Sequence, residues 1–155
     1  MSRAFTKEGG GSDAVDRMPD RPISPHRNLV TAEGLAALET EIARLDAALA
    51  TARDAGDTDT AAAAARDLRY VTARRASAEL VVYEEPATEV RFGATVTLER
   101  GDGRRQTFRI VGEDEADPAH GTLSHVSPLA RALQGREAGE VVAFQDGEIE
   151  IIDVT

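Results

Sequence analysis

The sequence predicts an α+β protein: an N-terminal antiparallel α-helical coiled-coil hairpin followed by a small antiparallel β-domain with one short helix. Three observations carry that prediction. Leu35, Leu38, Ile42, Leu45, Leu49 and Ala52 follow a 3-4-3-4-3 spacing, the a/d seam of a coiled coil. Gly56-Asp57-Thr58-Asp59 interrupts the pattern, and an alanine-rich stretch takes over from Thr60. From Val90 onward the apolar period becomes two and glycine-containing turns recur.

Each element has its own local signal. Thr31 is suited to cap the first helix, with Glu33 near the positive end of the helix dipole, and the helix is expected to run to Ala55. Gly56 suits a left-handed helix terminus. The second helix, starting near Thr60, brings Ala65, Leu68 and Val71 to the seam and fades between Glu79 and Val82. A tight turn between two helices makes an antiparallel hairpin, and alanines near the tip allow close approach. After Glu84-Glu85-Pro86, a strand is expected over Val90–Leu98, with Phe92, Ala94, Val96 and Leu98 on one face. Gly101-Asp102-Gly103 turns the chain into a return strand, Gln106–Val111. A strand at Thr122–Val126 follows, then a short helix begun by Pro128 and ended by Gly135. Strands Glu140–Phe144 and Glu148–Val154 flank an Asp146-Gly147 turn. Residues 1–29 read as a disordered or extended tail, 30–83 as the hairpin and 84–155 as the β-domain. The tail's Gly, Pro and charge lack periodicity, so Pro22-Ile23-Ser24-Pro25-His26 reads as a linker before it reads as a binding motif.

Bulk properties narrow the function. Asp and Glu number 28 against 18 Lys and Arg, a formal net charge of −10. That balance argues against general phosphate-backbone binding, which needs clustered cations. It suits a protein partner, or a site that already carries Mg²⁺ or basic groups. Aromatic residues are only 4% of the chain and much of the apolar fraction is alanine, so a modest core and a partly elongated chain are expected. The absence of cysteine excludes disulfides and thiolate metal sites. No apolar run is long enough to span a bilayer, and the N-terminus lacks the apolar core of a signal peptide, so the cytoplasm is the expected location. His26, His120 and His125 do not fall at metal-ligand spacing. Gly9-Gly10-Gly11 follows no strand and precedes no Lys-Ser/Thr, so it is no phosphate loop.

The C-terminal wording is more specific. Phe92-Gly93-Ala94-Thr95-Val96-Thr97-Leu98, Thr107-Phe108-Arg109-Ile110-Val111-Gly112, Val126-Ser127-Pro128-Leu129-Ala130-Arg131-Ala132-Leu133 and Gly135-Arg136-Glu137-Ala138-Gly139-Glu140-Val141-Val142 stand in that order. They resemble the C-terminal domain of the GreA/GreB transcript cleavage factors. Val30-Thr31-Ala32-Glu33-Gly34-Leu35 is similar to the family's Thr-x-x-Gly helix opening, and Arg66-Asp67-Leu68-Arg69-Tyr70 resembles the GreB branch. The resemblance covers Val30 to the C-terminus. It implies an FKBP-like β-domain that binds bacterial RNA polymerase at the secondary-channel rim, with the hairpin directed toward the catalytic Mg²⁺. Family tip carboxylates help hold a second Mg²⁺ there for cleavage of backtracked RNA. The chain would then be an accessory factor and not an enzyme, with no cofactor of its own beyond a Mg²⁺ shared with the polymerase.

The tip departs from the family pattern. Where Gly-Asp-x-x-Glu-Asn is usual, this chain has Gly56-Asp57-Thr58-Asp59-Thr60-Ala61. Asp57 matches the first carboxylate and is the candidate for the shared Mg²⁺; Thr60 cannot supply the second, and Asp59 is offset by one residue. The competing reading makes Asp57 and Asp59 helix-capping residues near the dipole's positive end. Between Thr31 and Tyr70 each arm is about eight to ten residues shorter than the family arm, which at about 1.5 Å rise per residue removes roughly 12–15 Å of reach.

Val126, Ser127 and Pro128 match the family's polymerase-binding loop, with Val126 where GreB-like proteins carry an acidic residue. Ser127 is equally suited to cap the helix begun by Pro128. Arg66, Arg69, Arg74 and Arg75 make the second arm locally basic, either to steer nascent RNA or, more plainly, as a solvated helix surface. The expectation is thus a monomeric, membrane-free elongation factor with weak or no stimulation of cleavage. Its alternatives are a competent cleavage factor and a non-catalytic adaptor that uses the hairpin alone. A prolyl isomerase, which the FKBP-like fold brings to mind, needs an aromatic pocket that Phe92, Phe108 and Phe144 do not supply.

Overall fold

A computed structural model describes residues 18–155. The part of the tail before Met18 lies outside the described residues. The chain divides into two compact units, one holding Ala37–Ser77 with the segment up to Pro25, the other His26–Ala36 with Ala78–Thr155.

Helix α1 (Ala32–Asp54), which enters the first unit at Ala37, and helix α2 (Thr58–Ser77) form the hairpin. Leu38, Leu45, Leu49 and Ala52 of the α1 seam are buried, while Leu35 and Ile42 are half-buried. Opposite them Ala61, Ala64 and Ala65 pack with Leu49 and Ala52 in one apolar cluster, with Ala48 and Leu68 at its margin. Alanine on the facing helix lets the backbones approach closely at the cost of a thin core. Helix α2 begins at Thr58, two residues before the expected start, because Asp57 supplies the cap.

The second helix stops at Ser77 instead of fading past Glu79. The reason is a pairing that no periodicity announces. Strand β1 (Leu29–Val30) runs parallel to strand β2 (Glu79–Leu80), and the backbone N–H groups of Glu79 and Val81 donate to the carbonyls of Asn28 and Val30 at 2.8 and 3.0 Å. A short strand pair therefore ties the stretch before α1 to the stretch after α2.

The remainder is a five-stranded sheet in the order β5-β4-β3-β7-β6, built from β3 (Thr95–Arg100), β4 (Arg105–Val111), β5 (Thr122–Ser124), β6 (Val141–Phe144) and β7 (Gly147–Val154). All ladders are antiparallel except β4–β5, which is parallel. Helix α3 (Pro128–Leu133) covers it with Leu129, Ala130 and Leu133. Phe92, Ala94, Val96 and Leu98 are all buried, as the alternation requires. The strand nonetheless starts at Thr95, because Gly93 adopts φ +83° and donates its N–H to the Ile110 carbonyl at 2.7 Å, which turns the chain just before it. On β7 the buried positions move from Ile149 and Ile151 to Val154, since Val96 and Thr97 pair with Val154 and Asp153 while Leu98 pairs with Ile151. The extra residue, Ile152, is a bulge. The last hairpin turns on Gln145-Asp146, with Gln145 at φ +54°, and Gly147 already pairs with Phe144.

Candidate functional site

At the hairpin tip Gly56 and Asp57 close the helix ends, while Asp59 stays exposed in the first turn of α2. Gly56, at φ +68°, donates its N–H to the Arg53 carbonyl at 3.1 Å, and the Asp57 N–H reaches the Ala52 carbonyl at 2.9 Å. This paired return is the Schellman arrangement that satisfies the last carbonyls of α1. The Asp57 side chain then accepts the Thr60 N–H at 3.1 Å and opens α2. Hydrogen bonding from the Thr60 side chain and then its backbone holds the Asp57 carboxyl below the ordinary carboxylate range. Asp59 lies in the first turn of α2, exposed like Asp57 and Thr60. Among the described residues, no three His, Cys, Asp or Glu side chains gather as a metal cluster. Two exposed carboxylates at one tip make a weak Mg²⁺ site by themselves, since a Mg²⁺ there would take most of its ligands from water or from a partner.

The second candidate lies in the β-unit. Ser127 takes an extended conformation and its hydroxyl accepts the Ala130 N–H at 3.3 Å, so it caps α3, with Pro128 at the first helical position. The Val126 N–H donates to the Ser124 hydroxyl at 3.3 Å, and the Ser127 N–H to the Ser124 carbonyl at 3.0 Å. Ser124 thus pins the loop from behind. Val126 and Ser127 are half-buried and Pro128 is exposed, so the three present a small rigid edge. The preceding residue, His125, packs edge-on against Phe92 with ring centroids 5.5 Å apart. Its Nε2 is buried without a hydrogen-bond partner. Burial pushes the His125 pKa down, and His26, Arg131 and Arg27 add to the shift while Glu113 opposes it. A neutral imidazole therefore backs the loop.

Two features escaped the sequence. The first is Glu115. Its carboxylate accepts the Thr31 N–H at 3.0 Å and the Gly112 N–H at 3.1 Å, and also takes the Thr31 hydroxyl. Thr31 in turn accepts the Gly34 N–H at 3.0 Å, the capping role expected of it. A Cβ on Gly34 would lie 2.0 Å from the Glu115 carboxyl carbon, which gives the Thr-x-x-Gly wording a physical meaning: glycine leaves room for the carboxylate. A glycine in the first turn of a helix was the available signal for such a close approach. The second is Arg74, read from the sequence as a solvated residue. It is 1% exposed, whereas Arg66, Arg69 and Arg75 remain partly exposed and pair with Asp67, Asp20 and Glu39.

Residues 85–155 match the family model "Transcription elongation factor, GreA/GreB, C-term". The chain is 50% identical over 95 residues to the transcription elongation factor GreB of Neisseria meningitidis serogroup A, an alignment covering 57% of this chain and 58% of that protein. It is 36% identical over 135 residues to GreA of Desulfovibrio desulfuricans, covering 75% of this chain and 83% of the relative. With GreA of Alkalilimnicola ehrlichii the identity is 35% over 153 residues, covering 81% and 95%. The chain thus spans little more than half of the GreB protein but most of these GreA proteins, and on that footing it belongs to the GreA/GreB family of transcription elongation factors.

Proposed function

We propose that the protein binds bacterial RNA polymerase at the secondary-channel rim through Val126, Ser127 and Pro128, and modulates elongation with weak or no stimulation of transcript cleavage. One observation carries the second half of that reading. At the tip the Asp57 carboxylate is engaged as the α2 cap, and the residue it caps, Thr60, stands where the family's second carboxylate would be. A divalent ion shared with the polymerase would therefore meet a single family-matched carboxylate, oriented by its capping bond, and an offset Asp59. The rigid edge at Val126–Pro128, fixed by Ser124 and by the α3 cap, supports the first half, because a preformed loop loses little entropy on docking.

In this reading the chain is an accessory factor acting in the cytoplasm as a monomer, since the α1 seam is already covered by α2 of the same chain. Any RNA hydrolysis belongs to the polymerase active site, and contact with nascent RNA is indirect. Among the described residues no helix is long and apolar enough to cross a membrane. A second reading, a competent cleavage factor, is favoured by the exposure of both Asp57 and Asp59.

The discriminating experiment adds purified protein to stalled, backtracked elongation complexes and follows both binding and 3′ RNA cleavage. Binding that falls on Pro128→Ala or Ser127→Ala, with little cleavage above the polymerase alone, is the expected result. Robust cleavage abolished by Asp57→Ala would establish the second reading. Absence of polymerase binding would favour an adaptor that uses the hairpin alone.

A further inference from the structure

Among the described residues, the segment ahead of the β1 strand makes specific polar and ring contacts with one turn of α2. Arg69 donates from Nε to the Asp20 carboxylate at 2.6 Å and from Nη2 to the Met18 carbonyl at 3.1 Å. The Arg21 guanidinium lies 3.5 Å from the Asp67 carboxylate and 3.8 Å above the Tyr70 ring. The charge order is complementary: adjacent Asp20 and Arg21 meet Arg69 and Asp67, so sliding the segment by one residue would set like charges together.

The hold is specific, yet shallow. Side-chain exposure is 73% for Asp20 and 43% for Arg21, so both pairs remain open to solvent. Ile23, which could anchor the segment by burial, is 48% exposed. The segment has no regular secondary structure of its own. Exposed ion pairs shift an equilibrium by about two- to five-fold each and weaken as salt shortens the screening length. The Arg21–Tyr70 stack adds an attraction of similar size.

We propose that Met18–Pro25 is a salt-sensitive strap that covers the Asp67–Tyr70 turn of α2 and, when it lifts, uncovers a guanidinium and an aromatic ring side by side on the hairpin arm. The strap sets how much of that arm other molecules can reach. It stands on these contacts alone and is independent of whether the chain binds polymerase.

The test is nuclear magnetic resonance on the full chain, reading the Overhauser contact between the Arg21 side chain and the Tyr70 ring. The contact is expected at about 0.1 M salt and should weaken at least about three-fold at about 1 M, where the screening length falls to about 3 Å. Asp20→Arg should abolish it, and the charge-swapped pair Asp20→Arg with Arg69→Asp should restore it. Circular dichroism checks that α2 is intact in each variant. If Arg69→Asp costs helicity, Asp20→Asn, confined to the exposed segment, replaces the swap and should weaken the contact by a smaller factor than Asp20→Arg. The proposal is overturned if the contact is missing at low salt, survives Asp20→Arg, or is indifferent to salt.

Discussion

At the scale of single residues, the junction of Glu115 with Thr31, Gly34 and Gly112 makes a prediction that runs against helix propensity. Alanine is favoured over glycine in a helix by about 1 kcal/mol, so Gly34→Ala should stabilise if nothing else mattered. Here the added methyl must expel the Glu115 carboxylate and strand the Thr31 and Gly112 N–H donors. Charge-assisted hydrogen bonds of this kind contribute about 1.5–3 kcal/mol, so the net effect should be a loss. Gly112→Ala should cost more, because its methyl would sit 2.4 Å from the Leu29 carbonyl oxygen, a backbone atom that cannot swing aside. Urea denaturation of the two variants checks both the sign and the order. His125 makes a second prediction. Its folded pKa lies below the ordinary 6.5, so the unfolded chain takes up the proton more readily. Stability should be full above pH 6.5 and should fall as the pH drops from there through the lowered folded value. Denaturation at stepped pH should show this decline in the native chain and its loss in His125→Gln.

At the scale of elements, the hairpin seam is where the large side chains of α1 meet small ones of α2. Leu49→Ala should cost about 2–4 kcal/mol in the hairpin, measured by thermal denaturation, because it removes the only leucine among the buried members of a cluster otherwise made of alanine. Ala61, 2% exposed, tests the opposite error: Ala61→Leu overfills a closely approached seam and should cost about 1–3 kcal/mol. This seam was legible from apolar spacing alone, because a heptad pattern sustained over about five turns has few other physical meanings. The alternation from Phe92 to Leu98 was legible for the same reason. Other elements were not. Strands β1 and β2 are two residues long and too short for any period to register, and their pairing depends on residues fifty positions apart. The bulge in β7 left one trace, the consecutive Ile151-Ile152, which a strict alternation would not contain.

At the scale of the whole molecule, the two units hold unequal cores. Among the described residues the β-unit buries fifteen in one cluster, including Val96, Leu98, Leu133 and Ile151 with no measurable exposure, against five in the hairpin cluster, four of them alanine. Protection from hydrogen exchange should follow that difference, with amides of β3 and β7 exchanging well after those of α1 and α2 near the tip. Equal protection throughout would mean that the units open together. The fold class and the family could be read from the chain because they rest on many positions at once. The candidate site could not, since its chemistry turns on whether a few side chains are free. Asp57 and Ser127 both carry the residue type that function would need, and both serve as helix caps. Composition cannot reveal that double employment; geometry does.

The tip has a consequence for how such a hairpin changes length. Only Ala55, Gly56 and Asp57 separate the two helices, and the backbone of one and the side chain of another close both ends at once. An insertion there would undo two caps together, and an insertion in a single arm would throw its apolar stripe out of step with the opposite helix. Growth or shrinkage is tolerated only as matched additions or deletions on both strands of the hairpin, in steps of whole turns. Its length is therefore a quantised trait: related proteins should differ in reach by paired increments, and an engineered extension should succeed only when both arms are lengthened together.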